Sequence, residues 1–174
     1  GDSLHQKLHK AKRILNGNVL FSYNVENPQE FAVIEKSSKR FKIIEKPKNK
    51  KNKLVATGLY FYDKTVVNLS KQVAPSSRGE LEISTLNNLY AKKNKTSVIN
   101  LGRGYAWYDA GTFSNLMKAS FFIQTIEQRQ GFRIACLEEI ALNKKWITIK
   151  DFKKNFYKYK NTEYGRYLSL IIKN

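Results

Sequence analysis

The chain has 174 residues, 41% apolar and 13% aromatic, with 26% charged, a composition that supports a folded domain with a real core and excludes intrinsic disorder. Thirty-two Lys and Arg stand against 14 Asp and Glu, a formal net charge of +18, so every basic segment is weighed as a candidate contact for an anionic partner. A single cysteine, Cys136, excludes a disulfide framework, and no apolar run approaches the roughly 18 residues of a membrane span.

The opening Gly1-Asp2-Ser3-Leu4-His5 is not a secretory signal, which points to a soluble, cytoplasmic protein. Met117 is the one methionine, and a chain that opens on Gly-Asp reads as a piece of a longer protein. Leu4, Leu8, Ala11 and Leu15 fall at helical spacing and predict an amphipathic helix ended at Asn16-Gly17. Strand-forming runs follow at Val19 to Val25, Phe31 to Glu35 and Phe41 to Glu45, the first two separated by a turn at Asn27-Pro28. Lys46 to Lys53 is a lysine-rich stretch without periodicity and predicts an exposed loop. Leu54 to Tyr62 reads as a strand, with Gly58 marking a close backbone approach and Asp63 ending it.

Ser77-Arg-Gly-Glu80 has capping-box spacing ahead of a helix whose Ile83, Leu86 and Tyr90 share one face. Val98 to Leu101 and Tyr105 to Tyr108 read as strands broken at Gly102-Arg103-Gly104. A helix from Thr112 to Arg129 carries Leu116, Ala119, Ile123 and Ile126 at spacings of three and four and stops at Gly131. A helical tail around Ile140, Ala141 and Ile147 follows, then a second capping box at Thr148 to Asp151. A last amphipathic face, Tyr164, Tyr167, Leu168 and Ile171, suits either an interface or packing onto its own domain. Strands that alternate with helices and then give way to helices define an α/β fold with a helical C-terminal appendage.

Three constellations could carry chemistry. Glu45-Lys46 at a strand end is a surface ion pair or, functionally, a carboxylate for sugar hydroxyls beside an ammonium for a phosphate. Asp109, after three large aromatics and before Ala-Gly-Thr, is a capping or turn aspartate or a magnesium ligand, since hard divalent ions take oxygen donors; Asp2 is its candidate partner. Ser77 to Ile83 is the third. His5 and His9 lie four apart on the first helix, but no third ligand completes a zinc set, and both read as exposed helix residues. Cys136 reads as a small buried hydrophobe. Lys153 to Lys160 interleaves lysines with aromatics as a nucleic-acid binder would, yet the positive charge is spread from end to end, a compositional habit rather than a nucleic-acid footprint.

The segments Thr57 to Asp63, Arg78 to Ile83, Gly102 to Trp107, Ile126 to Gly131 and Glu138 to Ala141, in this order, resemble the bacterial glucose-1-phosphate thymidylyltransferases, sugar-nucleotide pyrophosphorylases with a Rossmann-like nucleotidyltransferase fold. The resemblance covers nearly the whole chain. It implies a mixed sheet in which residues 1–135 form the sugar-binding part of the nucleotidyltransferase domain and residues 136–174 a helical tail. It implies dTDP-glucose and pyrophosphate made from dTTP and glucose 1-phosphate for deoxysugar synthesis, with Mg2+ as cofactor and a homotetramer of paired dimers.

By the same resemblance Asp2 and Asp109 hold magnesium, Glu45 binds glucose hydroxyls and Lys46 the sugar phosphate. Tyr60 lines the sugar pocket beside Ala56, and Phe31-Ala32 stands where the family carries Tyr-Gly. Arg103, Glu139 and Ile140 fall in a regulatory nucleotide site. The chain departs from the family at Ala32 for glycine, Thr85 for aspartate, Leu137 for proline and Asn143 for arginine, and it lacks several residues between Asp2 and Ser3. The family's Gly-rich triphosphate loop and base-reading half have no counterpart in these residues, so this stretch by itself is expected to be inactive. The rival readings are a non-catalytic remnant that binds sugar phosphate or mediates oligomerisation, and a basic nucleic-acid binder.

Overall fold

A computed structural model of the chain describes residues 3–38, 40–48 and 52–173. The chain divides into two compact units, residues 1–107 and 108–174.

The first unit is built on one mixed sheet in the order β3-β2-β4-β1-β5. β1 (Asn18–Asn24) runs antiparallel to β4 (Leu54–Tyr62) and parallel to β5 (Thr96–Asn100), while β2 (Ala32–Ser37) is antiparallel to β3 (Arg40–Glu45) and to β4. Side chains alternate across a strand, so β1 feeds two cores. Val19 and Phe21 pack with Ile99, Leu101 and Ala11 of α1 (Leu4–Ile14), whereas Leu20 packs with Ile34, Ile43, Ala56 and Ala91 of α3 (Ile83–Lys92). From β4 the chain passes through α2 (Val66–Ser70) and α3 to reach β5 on the far side of β1, and their Leu69, Leu86 and Tyr90 form a third cluster.

The α1 helix begins in a reciprocal capping box: Ser3 Oγ accepts from the Gln6 amide, and Gln6 Oε1 accepts from the Ser3 amide. Gly58 has φ +83° with nothing within 4 Å of where a Cβ would sit, so it is not the close approach expected. Its role is conformational. Leu20 faces Tyr60 and Ser22 faces Ala56, which leaves Thr57 to Leu59 opposite Phe21 alone, and this bulge takes up a positive φ that glycine accepts without strain.

Two further expectations are corrected. Tyr105 to Tyr108 forms no strand; after Leu101 the chain leaves the sheet, and the bonds that hold it include Tyr23 Oη to the Tyr105 carbonyl at 2.8 Å and Trp107 Nε1 to the Thr57 carbonyl at 3.1 Å. The Ser77 to Glu80 capping box does not form. Gly79 adopts φ +77° in a turn closed by its amide on the Ser76 carbonyl, and α3 starts later, after Glu82, without a side-chain cap.

The second unit contains α4 (Phe113–Gln130), α5 (Leu137–Asn143), α6 (Ile149–Tyr159) and α7 (Glu163–Lys173). Thr112 caps α4 through the Asn115 amide, and Gly131 ends it at φ +70°, a left-handed stop. The Thr148–Asp151 capping box forms as the spacing predicts. Cys136, Phe152 and Leu168 are buried together, with Tyr164, Tyr167 and Ile171 against them, so the apolar face of α7 is spent on its own unit. Arg133 reaches Glu127 at 2.6 Å and also pairs with Glu163, which ties the end of α4 to the start of α7.

Candidate functional site

β3 ends on Glu45, directly opposite Ala32 of β2. One residue on, the Lys46 amide donates to the Phe31 carbonyl at 3.0 Å, and Lys46 turns out of the sheet at φ +41°. A non-glycine residue in the left-handed region is strained unless its surroundings hold it there. Phe31 supplies the hold, because its ring meets the Trp107 indole edge-on at 5.1 Å between centroids. Among the ion pairs of the described residues none joins Glu45 to Lys46; the charge of Glu45 is felt by Arg78 and Tyr60 and that of Lys46 by Glu82.

They line a cleft of about 410 Å³ together with Ser76, Arg78, Glu82 and Thr85. Thr85, noted as a departure from the family, therefore stands in the wall beside Lys46. Ala32, Ile34, Ile43 and Glu45 occupy one face of the β2–β3 ladder, and Ala56 and Tyr60 of β4 join the same apolar cluster. Ala56 is buried within that cluster. Tyr60 is partly buried against it, and its phenol is pushed above its ordinary value, first by burial and then by the negative charge of Glu45. The expected residues Ala32, Glu45, Ala56 and Tyr60, scattered through the sequence, thus share one surface of the sheet.

Arg78 was not among the expected site residues. Its block carried the resemblance, but local spacing suggested only a helix cap. In the structure Arg78 Nη2 and Nε contact Glu82 Oε1 at 2.6 and 3.0 Å, Nη2 meets Glu80 at 3.0 Å, and Ser76 Oγ donates to Glu82 at 2.9 Å. A guanidinium four residues before a carboxylate was the available signal. The Arg78 hydrogen bond, joined by that of Ser76, holds the Glu82 carboxyl below its ordinary value of 4.5. A depressed carboxylate stabilises the folded state above its unfolded value and ceases to do so as pH falls through the folded one. The Arg78–Glu82 arrangement is therefore expected to persist at pH 4.5 and to be lost only in stronger acid. A side-chain carboxyl NMR titration giving a Glu82 midpoint at or above 4.5 would contradict it.

Ala32, Ala56, Tyr60 and Arg103 of the first unit are not among the residues that line this cleft, and the other expected residues belong to the second unit or fall outside the described part. Asp2 lies outside the described residues. Asp109 is exposed in the irregular run ahead of α4, and because Thr112 supplies the cap, the capping reading of Asp109 does not hold. Arg103 is exposed in the turn after β5, in the first unit, whereas Glu139 and Ile140 belong to α5 in the second, where Glu139 accepts from Tyr167 Oη at 2.5 Å. Among the described residues no group of three His, Cys, Asp or Glu side chains could hold a metal. A Mg2+ ion that keeps waters and substrate phosphates needs only one or two carboxylates, and an exposed Asp109 carboxylate fits that demand. His5 and His9 are exposed, as expected, with their Nε2 atoms 3.0 Å apart.

A mixed sheet with helices on both faces, bearing a carboxylate and a cation at one strand end, is the frame of a nucleotidyltransferase, and the chain belongs to the Nucleotidyl transferase family, which matches residues 2–126. It is similar to the glucose-1-phosphate thymidylyltransferase of Neisseria gonorrhoeae, 42% identical over 99% of this chain and 60% of that one. It is also similar to that of Xanthomonas campestris pv. campestris, 37% identical over 99% of this chain and 59% of the relative. A crystal structure of a protein assigned as a glucose-1-phosphate thymidylyltransferase from Bacillus anthracis, in complex with a sucrose, superposes with a TM-score of 0.60 at 31% identity, covering 70% of this chain and 49% of that one. The chain thus spans about 60% of the length of the curated relatives it matches. No helix among the described residues is long and apolar enough to cross a membrane.

Proposed function

We propose that this chain is the sugar-phosphate-binding part of an enzyme that joins glucose 1-phosphate to dTTP, forming dTDP-glucose and releasing pyrophosphate. The observation that carries this reading is the end of β3: Glu45 sits opposite Ala32 while Lys46, turned out by its left-handed backbone, shares a cleft with Arg78. The names of the relatives support the choice of substrates.

In this reading Glu45 accepts hydrogen bonds from glucose hydroxyls and Lys46 sets a positive charge against the phosphate, which fixes the sugar phosphate for attack on the α-phosphorus of the nucleotide. Ala32 offers its backbone and a small wall, and Tyr60 and Ala56 close the apolar side. Asp109, with Asp2, would hold Mg2+, which supplies charge neutralisation at the phosphates when bound. Arg103, Glu139 and Ile140 are the residues that the resemblance assigns to a second, regulatory nucleotide site. Residues 1–135 carry sugar binding and residues 136–174 form the helical tail, and the same reading includes the cytoplasmic location expected from the sequence and the tetrameric assembly that the resemblance implies.

The test is a titration of the chain with glucose 1-phosphate, glucose and inorganic phosphate, followed through backbone amide shifts. Saturable shifts at Ala32, Glu45 and Lys46 with glucose 1-phosphate, and far weaker ones with glucose or phosphate alone, are expected. Equal responses to all three would remove the reading. In the complete enzyme, Asp109→Asn is expected to lower turnover about tenfold, because a neutral amide is a poorer magnesium ligand; turnover within twofold of the parent would take Asp109 out of the site.

A further inference from the structure

β3 is an edge strand of its sheet, so among the described residues no strand lies beside the outward backbone groups of Ile43. The Asn88 side chain fills that place. The Ile43 amide donates to Asn88 Oδ1 at 2.9 Å, and Asn88 Nδ2 donates to the Ile43 carbonyl at 2.7 Å, so one carboxamide satisfies both backbone polar groups of one residue as a neighbouring strand would. The preceding residue anchors α3 on its other side: Asn87 is fully buried, and its Oδ1 accepts from Asn18 Nδ2 of β1 at 2.9 Å and from Tyr62 Oη of β4 at 2.7 Å. The helix is therefore pinned to the middle of the sheet by one asparagine and to its edge by the next.

Ile43 lies two residues before Glu45, and Asn88 itself lines the cleft that holds Glu45 and Lys46. From the other side the end of β3 is fixed by pairing of Glu45 with Ala32 and by the Lys46 amide on Phe31. With the Asn88 clamp gone, the last residues of β3 are held along one edge only, next to a residue already in a strained backbone conformation. We infer that Asn88 is a positioning residue for the sugar-phosphate site, setting the place of Glu45 and Lys46 through a two-point hydrogen bond to the edge of β3. The inference rests on the proposed role of the Glu45–Lys46 pair.

Binding of glucose 1-phosphate to the 174-residue chain is measured by calorimetry for the parent, Glu45→Ala, Asn88→Ala and Asn88→Asp, at a temperature well below each unfolding midpoint so that every variant is fully folded. Amide hydrogen exchange at Ile43 and Lys46 is read on the same samples. Expected results are a loss of affinity of about fivefold or more for Asn88→Ala with faster exchange at Ile43. Asn88→Asp, which keeps the acceptor for the Ile43 amide but sets a carboxylate oxygen against the Ile43 carbonyl, is expected to fall between Asn88→Ala and the parent. A purely structural asparagine would lower the unfolding midpoint and leave the affinity of the folded variant unchanged, which would overturn the proposal. If Glu45→Ala weakens binding and Asn88→Ala does not, the positioning role fails while the site stands. If Glu45→Ala has no effect, the site reading fails and the positioning role with it.

Discussion

Lys46→Ala is expected to weaken glucose 1-phosphate binding about 30-fold, since a hydrogen bond to a charged group contributes roughly 2 kcal/mol and each 1.4 kcal/mol is a factor of ten. Two features make Lys46 more than one lysine among many. Its φ of +41° and its amide bond to Phe31 turn it out of the sheet at the point where β3 ends, and it shares its cleft with Glu45 and Arg78. Screening distinguishes it too: a lysine that meets a bound phosphate directly keeps most of its effect as salt rises, while diffuse attraction by the +18 chain fades over a Debye length of about 10 Å at 0.1 M salt. The measurement is the dissociation constant of parent and variant at low and at 0.3 M salt. A loss below threefold, or one that vanishes at the higher salt, would return Lys46 to the general positive background.

Phe152→Ala is expected to destabilise the helical second unit by about 3 to 5 kcal/mol, the range for deleting a large aromatic side chain from a filled core. Phe152 is fully buried, packed with Cys136 and Leu168 and flanked by Leu142, Ile147, Phe156 and Tyr164. Small domains have total stabilities of only about 5 to 15 kcal/mol, so this one change should consume most of what holds α5, α6 and α7 together. Urea unfolding monitored by circular dichroism would show it as a separate early loss of helix. A shift under 1 kcal/mol would mean that Phe152 is not the centre of this core. Leu137, by contrast, is 73% exposed on the first turn of α5, so its replacement of the family's proline leaves the core untouched.

Short-range order was legible without a structure. The helix at residues 4–14 and the one at 113–130 announce themselves by spacing, and the stops and starts at Gly131 and at Thr148 to Asp151 follow from backbone geometry and from hydrogen bonds that span three residues. The ordered blocks of resemblance pointed to the nucleotidyltransferase family, and the Glu45-Lys46 pair stood out as a charged couple at a strand end.

Reading by local pattern failed in one place where a residue's partners lie far along the chain and in another where two local arrangements competed. Tyr105 to Tyr108 has the composition of a strand but forms none, and the bonds of Tyr23 to the Tyr105 carbonyl and of Trp107 to the Thr57 carbonyl help to set its course. Ser77 to Glu80 has the spacing of a cap, yet Gly79 turns the chain and Arg78 engages Glu82 instead.

The sequence by itself determined the long helices, the sheet strands, the stop at Gly131, the Thr148–Asp151 cap and the family, because these depend on side-chain periodicity and contacts a few residues apart. Only the tertiary structure decided that Glu45 faces Ala32, that Tyr60 feels the charge of Glu45, and that Asn88 of α3 clamps the edge of β3 at Ile43. Strand register and the docking of a helix on a sheet are set by pairings across tens of residues, each favourable only once the others are in place, and no local window contains them.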